Sequence, residues 1–76
     1  MLAKIKEIVV KYVDVDPEKI TEQTDFRNDL DIDSFSFMSM IAEIEEEAGV
    51  ELPLEEVTEL TTVNDLLELI AKKGQE

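Results

Sequence analysis

The hydroxyl of Ser34 is a candidate for a chemical role, because Ser34 lies where an acidic segment ends and a regular apolar pattern begins. Asp33 precedes it. A serine or aspartate at a helix start is most often a cap, which accepts a hydrogen bond from a first-turn N–H group and contributes ~1 kcal/mol. A serine that acts as a catalytic nucleophile needs a base, and the chain has no histidine. The spacing alone therefore favours a cap.

The carboxylates before this serine suggest a second chemistry, the binding of calcium. Asp29, Asp31 and Asp33 alternate as the first ligands of an EF-hand loop do. The rest of that loop is absent, since Ser34 stands where a glycine makes the sharp turn and Met40 where a bidentate glutamate is needed. The pattern predicts no specific metal site, only weak binding of divalent cations.

The composition narrows the class of protein. The 76 residues are enough for one small domain, spanning 1–76. The absence of cysteine and histidine excludes disulfides and thiolate or imidazole metal sites, and leaves only carboxylates and a few lysines for catalysis. We therefore predict that the chain is not an enzyme. No run of ~18 apolar residues or signal-peptide core occurs, so we expect a cytoplasmic protein that does not cross a membrane.

The net charge of -13 is concentrated in one part of the chain. Residues 28–71 contain thirteen aspartates or glutamates and no lysine or arginine, whereas the remainder has seven residues of each sign. Such a field repels nucleic acid and anionic membranes and attracts basic protein surfaces. Two interpretations stay open: the charge selects protein partners with basic patches, or it only keeps a small protein soluble.

The apolar periodicity predicts an all-α protein, a small four-helix bundle with three principal helices and one short helix. The predicted ranges are 2–13, 34–48, 55–60 and a last helix from Val63 to a stop at Gly74. A long loop, 14–33, joins the first two helices and contains a helical turn near 17–20. Three isolated apolar side chains should hold this loop down, namely Ile20, Phe26 and Leu30.

Local signals mark several of these boundaries. Glu7 and Lys11 have the spacing of a favourable ion pair on the first helix. Gly49 is placed to end the second helix in a left-handed conformation. Thr62 and Asp65 have the spacing of a capping box, which predicts the start of the last helix.

The second predicted helix has two apolar stripes, although a helix of a monomeric domain needs only one. The first stripe is a core face formed by Phe37, Met40, Ile41, Ile44 and Ala48. The second lies on roughly the opposite side and consists of Phe35, Met38 and Ala42. It is either a partner-binding surface or extra core covered by the long loop, and the bordering glutamates favour the partner surface.

Four segments of the sequence, 29–35, 44–47, 50–53 and 60–63, resemble acyl carrier proteins. The first of them, which contains Asp33 and Ser34, is similar to the Asp-Ser-Leu attachment motif of that family. The resemblance continues without an obvious gap to the fourth helix, and the first helix and long loop also match in length and order. It therefore covers nearly the whole chain.

The resemblance implies a four-helix bundle in which a phosphopantetheinyl transferase, using coenzyme A, attaches 4'-phosphopantetheine to Ser34, beside Asp33. The thiol of this arm would carry an acyl group as a thioester, and the helix start would offer N–H groups and a positive dipole end to the phosphate. It implies that enzymes with basic patches read the second helix through Phe35, Met38, Ala42, Glu43, Glu45 and Glu46. Acyl groups would lie between the helices, and the candidate cavity residues are Phe37, Met40, Ile41 and Ile44, which could equally be ordinary core.

The chain also departs from the family pattern. Phe35 replaces the usual leucine, Asp31 replaces a glycine, and Ser36 and Ser39 replace common acidic residues. Aspartate tolerates a left-handed backbone, so Asp31 can take the glycine's conformation. We expect a monomeric carrier for fatty-acid or related lipid or polyketide synthesis. These departures favour a specialised carrier with dedicated partners over a general fatty-acid carrier, and both interpretations stay open. The alternatives are an aminoacyl or peptidyl carrier, or an acidic protein-binding module in which Ser34 is only a cap.

Overall fold

The computed structural model of the protein describes residues 1–75, which form helices joined by loops. The order is α1 (Leu2–Val9), a 3-10 turn (Pro17–Lys19), α2 (Ser34–Ala48), α3 (Leu54–Val57) and α4 (Val63–Gly74). Within these residues there is no β-strand, only an isolated bridge between Asp25 and Thr62. The predicted all-α class, with three principal helices and one short one, is confirmed.

The first helix is shorter than predicted, because α1 ends at Val9 and not at residue 13. Beyond it the backbone tightens, and the N–H groups of Lys11 and Tyr12 donate to the carbonyls of Ile8 and Val9 at 3.1 and 2.9 Å. Ile8, Val9 and Val10 are consecutive β-branched residues, whose side chains lose freedom in a helix. The apolar spacing predicted a longer helix because it does not take account of this low helix propensity.

The predicted ion pair between Glu7 and Lys11 is also wrong. Lys11 Nζ lies 2.9 Å from Glu43 Oε2 on α2, and Lys4 Nζ lies 3.3 Å from Glu47 Oε1 on the same helix. Lys4 lies within α1 and Lys11 in the turn that follows it, and both side chains face α2. Both lysine side chains are more than half exposed, so each ion pair by itself contributes little to stability.

The helix boundaries that depend on local chemistry follow the sequence closely. Thr62 Oγ1 accepts a hydrogen bond from Asp65 N at 3.2 Å, and Asp65 Oδ2 accepts one from Thr62 N at 3.1 Å, so the predicted capping box is present. Gly49 ends α2 with φ 70°, as predicted. Gly74 is still helical, and α4 is capped one residue later than expected, at Gln75.

The long loop is held against the helices by its apolar side chains. Ile20, Phe26 and Leu30 are all buried, which confirms the predicted contacts. The Phe26 ring packs edge-on against Phe37 of α2, with 5.3 Å between ring centroids. The backbone N–H group of Phe26 donates a hydrogen bond to the carbonyl of Thr61 at 3.0 Å. The loop is thus an ordered part of the fold.

Backbone hydrogen bonds tie the same loop to the start of α4. The carbonyl of Thr24 accepts from Val63 N at 2.9 Å, and the carbonyl of Glu22 accepts from Asn64 N at 2.8 Å. The first N–H groups of a helix have no partner within the helix. The loop supplies those partners, and this fixes its position relative to α4.

The core lies where the four helices and the long loop meet. Its fully buried side chains are Ile5, Val9, Ile20, Phe26, Met40, Ile41, Ile44, Val57, Val63 and Leu66. Three of them, Met40, Ile41 and Ile44, belong to the predicted core face of α2. None of the helices within residues 1–75 is both long enough and apolar enough to span a bilayer.

Candidate functional site

Asp33, and not Ser34, caps the N-terminus of α2. Asp33 Oδ1 accepts a hydrogen bond from Ser36 N at 2.7 Å, and Oδ2 accepts one from the Ser36 hydroxyl at 3.2 Å. The pKa of Asp33 is lowered, first by the Ser36 N–H group, so its carboxylate is charged at neutral pH. The cap interpretation of Ser34 is therefore wrong, because its neighbour fills that role.

Ser34 is the first residue of α2 and is exposed. No residue within 1–75 forms a hydrogen bond with its hydroxyl. A hydroxyl that stabilises nothing inside the fold is open to chemistry from outside, and replacing it should cost the fold little. Shortly before the start of α2, Asp31 takes a left-handed conformation, with φ 50°, which aspartate tolerates.

Two of the three carboxylates of the EF-hand-like segment, those of Asp29 and Asp33, have separate partners. Asp29 Oδ2 accepts a hydrogen bond from Asp25 N at 2.8 Å, while Asp33 caps α2. In the part of the chain that the structure describes, no group of three or more acidic side chains is placed to hold a metal ion. These aspartates shape the loop and the helix start.

An apolar cavity of about 220 Å³ opens beside Ser34, between the start of α2, the long loop and α3. Its walls are formed by Phe26, Arg27, Ile32, Ser34, Phe37, Met38, Leu54, Val57, Thr58 and Leu60. An engineered cavity of ~150 Å³ in another protein holds benzene. The space beside Ser34 is therefore large enough for an apolar group of about six carbon atoms.

The four candidate cavity residues fall in two different places. Phe37 lies on the cavity wall, but Met40, Ile41 and Ile44 pack in the core and form no part of it. Helical periodicity identifies the buried side of α2 and cannot separate a cavity wall from a solid core. The wall residues that were not predicted belong to the loop and α3. Isolated apolar residues such as Leu54 were the only sign in the sequence that these segments contribute to the cavity.

The second apolar stripe of α2 faces solvent. Phe35 is 82% exposed and Met38 38% exposed, and Ala42 is exposed as well. The alternative that these residues form extra core under the loop is therefore wrong. Leu54 of α3 is 61% exposed, and it shares the cavity wall with Met38, so exposed apolar side chains border the cavity.

The three glutamates proposed beside this stripe have different environments. Glu43 accepts hydrogen bonds from the Tyr12 hydroxyl and from Lys11 Nζ, and Glu45 Oε2 accepts one from Leu52 N at 2.7 Å. Glu46 is exposed. Two of the three carboxylates thus contribute to the fold, because the turn after α1 and the segment after α2 bring donors that sequence spacing could not reveal.

The contacts of Glu43 predict a pH-dependent stability. Its pKa is lowered, first by the hydrogen bond from the Tyr12 hydroxyl and then by the one from Lys11. Such a carboxylate stabilises the fold above its ordinary pKa of 4.5 and loses that contribution as the pH falls through the lower folded value. We expect Glu43→Gln to melt at a lower temperature than Glu46→Gln near neutral pH, and this difference should vanish in acid.

Thermal melts followed by circular dichroism at a series of pH values measure this effect. Glu46→Gln is the matched control, because it removes the same charge from an exposed position of the same helix. Equal melting temperatures for the two variants near neutral pH would show that the Tyr12 and Lys11 contacts add nothing.

Comparison with known proteins identifies the family. A family model described as a phosphopantetheine attachment site matches residues 3–70. The chain is 44% identical over 73 residues to an acyl carrier protein of Thermosynechococcus vestitus, a match that covers 96% of this chain and 90% of the relative. The chain belongs to the acyl carrier protein family. Among solved structures, the acyl carrier protein of Enterococcus faecalis superposes with a TM-score of 0.80 at 29% identity, covering 95% of this chain and 91% of that one.

Membership of the acyl carrier protein family implies a covalently attached 4'-phosphopantetheine. The start of α2 fits this group, because it offers an exposed hydroxyl without an internal partner beside an apolar cavity. One expected feature differs. The Ser36 N–H group of the first turn already donates to Asp33, so fewer N–H groups remain for a phosphate than the resemblance implied.

Proposed function

We propose that this acyl carrier protein carries acyl intermediates as thioesters on a 4'-phosphopantetheine arm attached to Ser34 Oγ. The observation that supports this most directly is the exposed Ser34 hydroxyl, which has no hydrogen-bond partner among residues 1–75. The arm supplies the thiol that the cysteine-free sequence lacks. In this account the chain itself catalyses nothing and presents its cargo to enzymes of fatty-acid or related lipid or polyketide synthesis.

The residues around Ser34 have two tasks in this proposal. Asp33 holds the first turn of α2, so the Ser34 hydroxyl stays exposed at the helix start. The apolar walls contributed by Phe37 and Leu54 give a short acyl chain a place out of water. Burial of each methylene group is favourable by ~0.8 kcal/mol, so a chain of a few carbons gains from entering the cavity.

The exposed side of α2 is proposed as the surface that partner enzymes bind. These partners are a phosphopantetheinyl transferase and acyl-transferring or acyl-modifying enzymes with basic surface patches, and neither nucleic acid nor a membrane is among them. Phe35, Met38 and Ala42 would supply the apolar contact and Glu46 the charge. Exposed aromatic side chains often dominate protein interfaces. Phe35 therefore supports a specialised carrier with dedicated partners, which we expect to act as a cytoplasmic monomer.

Acyl loading followed by thioester cleavage tests the proposed function. The protein is incubated with a phosphopantetheinyl transferase and a short-chain acyl coenzyme A, and its intact mass is measured before and after neutral hydroxylamine, which cleaves thioesters. We expect a gain equal to the acylated arm, from which hydroxylamine removes only the acyl group. The control with unacylated coenzyme A should gain a hydroxylamine-resistant arm. No mass gain, or an acyl group that survives hydroxylamine, would contradict the proposal.

A further inference from the structure

Arg27 is the single arginine of the chain and the single cation between Lys19 and Lys72. In a protein with a net charge of -13, a cation is expected to find a carboxylate. Five ion pairs form within residues 1–75, and all of them use lysines. Within the same residues the exposed Arg27 guanidinium forms neither an ion pair nor a hydrogen bond. Its charge therefore has no close carboxylate partner within these residues, and only a weak electrostatic effect on Asp25.

The acidic residues nearest in sequence do not pair with this guanidinium because they bind backbone N–H groups instead. Asp25 Oδ1 accepts hydrogen bonds from the N–H groups of Arg27 and Asn28, each at 2.8 Å. Asp29 Oδ2 accepts one from Asp25 N. The pKa of Asp25 is lowered mainly by the N–H groups of Asn28 and Arg27, and the guanidinium charge has the smallest effect on it. Arg27 keeps five donors available.

The position of Arg27 brings its charge close to Ser34. Arg27 lines the same cavity as Ser34, and the only other polar residue of that wall is Thr58. A mostly apolar recess with one cation suits an apolar group that ends in an oxyanion. An anion attached to Ser34 would also lie next to the charged Asp33, which already accepts the Ser36 N–H group. Arg27 is the one cation on the wall of this cavity, and its charge would offset this repulsion.

We propose that the Arg27 guanidinium binds an oxyanion at the mouth of this cavity. Two groups have the required chemistry: the phosphodiester of the arm on Ser34, and a carboxylate at the far end of a dicarboxylic acyl cargo. The planar guanidinium matches either group with two parallel hydrogen bonds. The inference rests on the proposed function, because both oxyanions arrive only with the arm.

The single arginine makes a direct experiment available, because its Nε–H group gives one unambiguous NMR signal. Four forms are compared: the apo protein, the protein with the arm alone, and the protein loaded with a short monocarboxylic or dicarboxylic acyl group of equal length. Intact mass verifies each loading first. Binding should move the Nε–H signal and slow its exchange with water roughly twofold to fivefold, the range for a partly exposed pair.

The form in which the signal first changes identifies the oxyanion. A change with the arm alone assigns the phosphodiester, and a change only with the dicarboxylic cargo assigns the carboxylate. An unchanged signal in every loaded form overturns the inference while leaving the proposed function intact. If no arm can be attached, the proposed function fails and this inference fails with it.

Two variants provide a second measurement. In Arg27→Gln, the ³¹P signal of the arm or the ¹³C signal of the cargo carboxylate should shift from its position in the unmutated protein. Lys19→Gln is the matched control, since it removes one positive charge from the same loop at a residue that does not line the cavity. Equal shifts in both variants would indicate a general charge effect and would overturn a specific role for Arg27.

Discussion

Replacing Phe26 with alanine is expected to lower the free energy of unfolding by about 3–5 kcal/mol, the usual cost of truncating a buried phenylalanine. Phe26 is 1% exposed and packs edge-on against Phe37. Its ring also forms part of the cavity wall beside Ser34, so its loss would enlarge an existing space. Small domains have little stability in reserve, and this change should remove a large part of it.

Urea denaturation followed by circular dichroism measures this loss. Phe35→Ala is the matched control, because it deletes the same ring from a residue that is 82% exposed. We expect Phe35→Ala to leave the unfolding free energy nearly unchanged and to weaken binding of partner enzymes. If the two variants were equally destabilised, the assignment of one ring to the core and the other to the surface would be wrong.

The features that the sequence predicted well are those that depend on neighbouring residues. The capping box of Thr62 and Asp65, the left-handed conformation of Gly49, and the burial of Phe26 all follow from the residue itself and a few positions around it. Caps and left-handed turns have strict chemical requirements that few residue types meet. Such positions can be recognised before any tertiary contact is known.

The features that the sequence did not predict depend on contacts between distant segments. Glu43 was assigned to an acidic partner surface, but the Tyr12 hydroxyl, 31 residues away in the sequence, donates a hydrogen bond to it. No local pattern marks a donor at that separation.

The cavity could not be predicted from local sequence patterns either. Its walls combine the start of α2 with the loop and α3, and periodicity along a single helix identified only Phe37 among them. The role of Arg27 was missed for a related reason. Its place on the cavity wall, and the engagement of Asp25 and Asp29 with backbone N–H groups, are visible only in three dimensions.

The contacts that hold the start of α2 in place are made by the residues around Ser34, and not by the Ser34 hydroxyl. Asp33 caps the helix, and the loop before it is fastened to α4 through the carbonyls of Glu22 and Thr24. Because none of these contacts uses the Ser34 hydroxyl, Ser34→Ala should fold and melt like the unmutated protein. The same substitution should abolish attachment of the arm completely, which is the largest functional effect expected of any single change.

Ser36→Ala is the matched control for that experiment. Ser36 lies in the same first turn of α2, and its own hydroxyl donates to Asp33 Oδ2 at 3.2 Å. The substitution removes this contact and preserves the backbone hydrogen bond from Ser36 N to Asp33 Oδ1. The two variants therefore differ in which hydroxyl is lost while the helix cap is kept.

The most direct measurement is the intact mass of the protein, of Ser34→Ala and of Ser36→Ala after incubation with coenzyme A and a phosphopantetheinyl transferase. The account predicts one added arm on the unmutated protein and on Ser36→Ala, and none on a correctly folded Ser34→Ala. An arm on Ser34→Ala, or no arm on the unmutated protein, would contradict it.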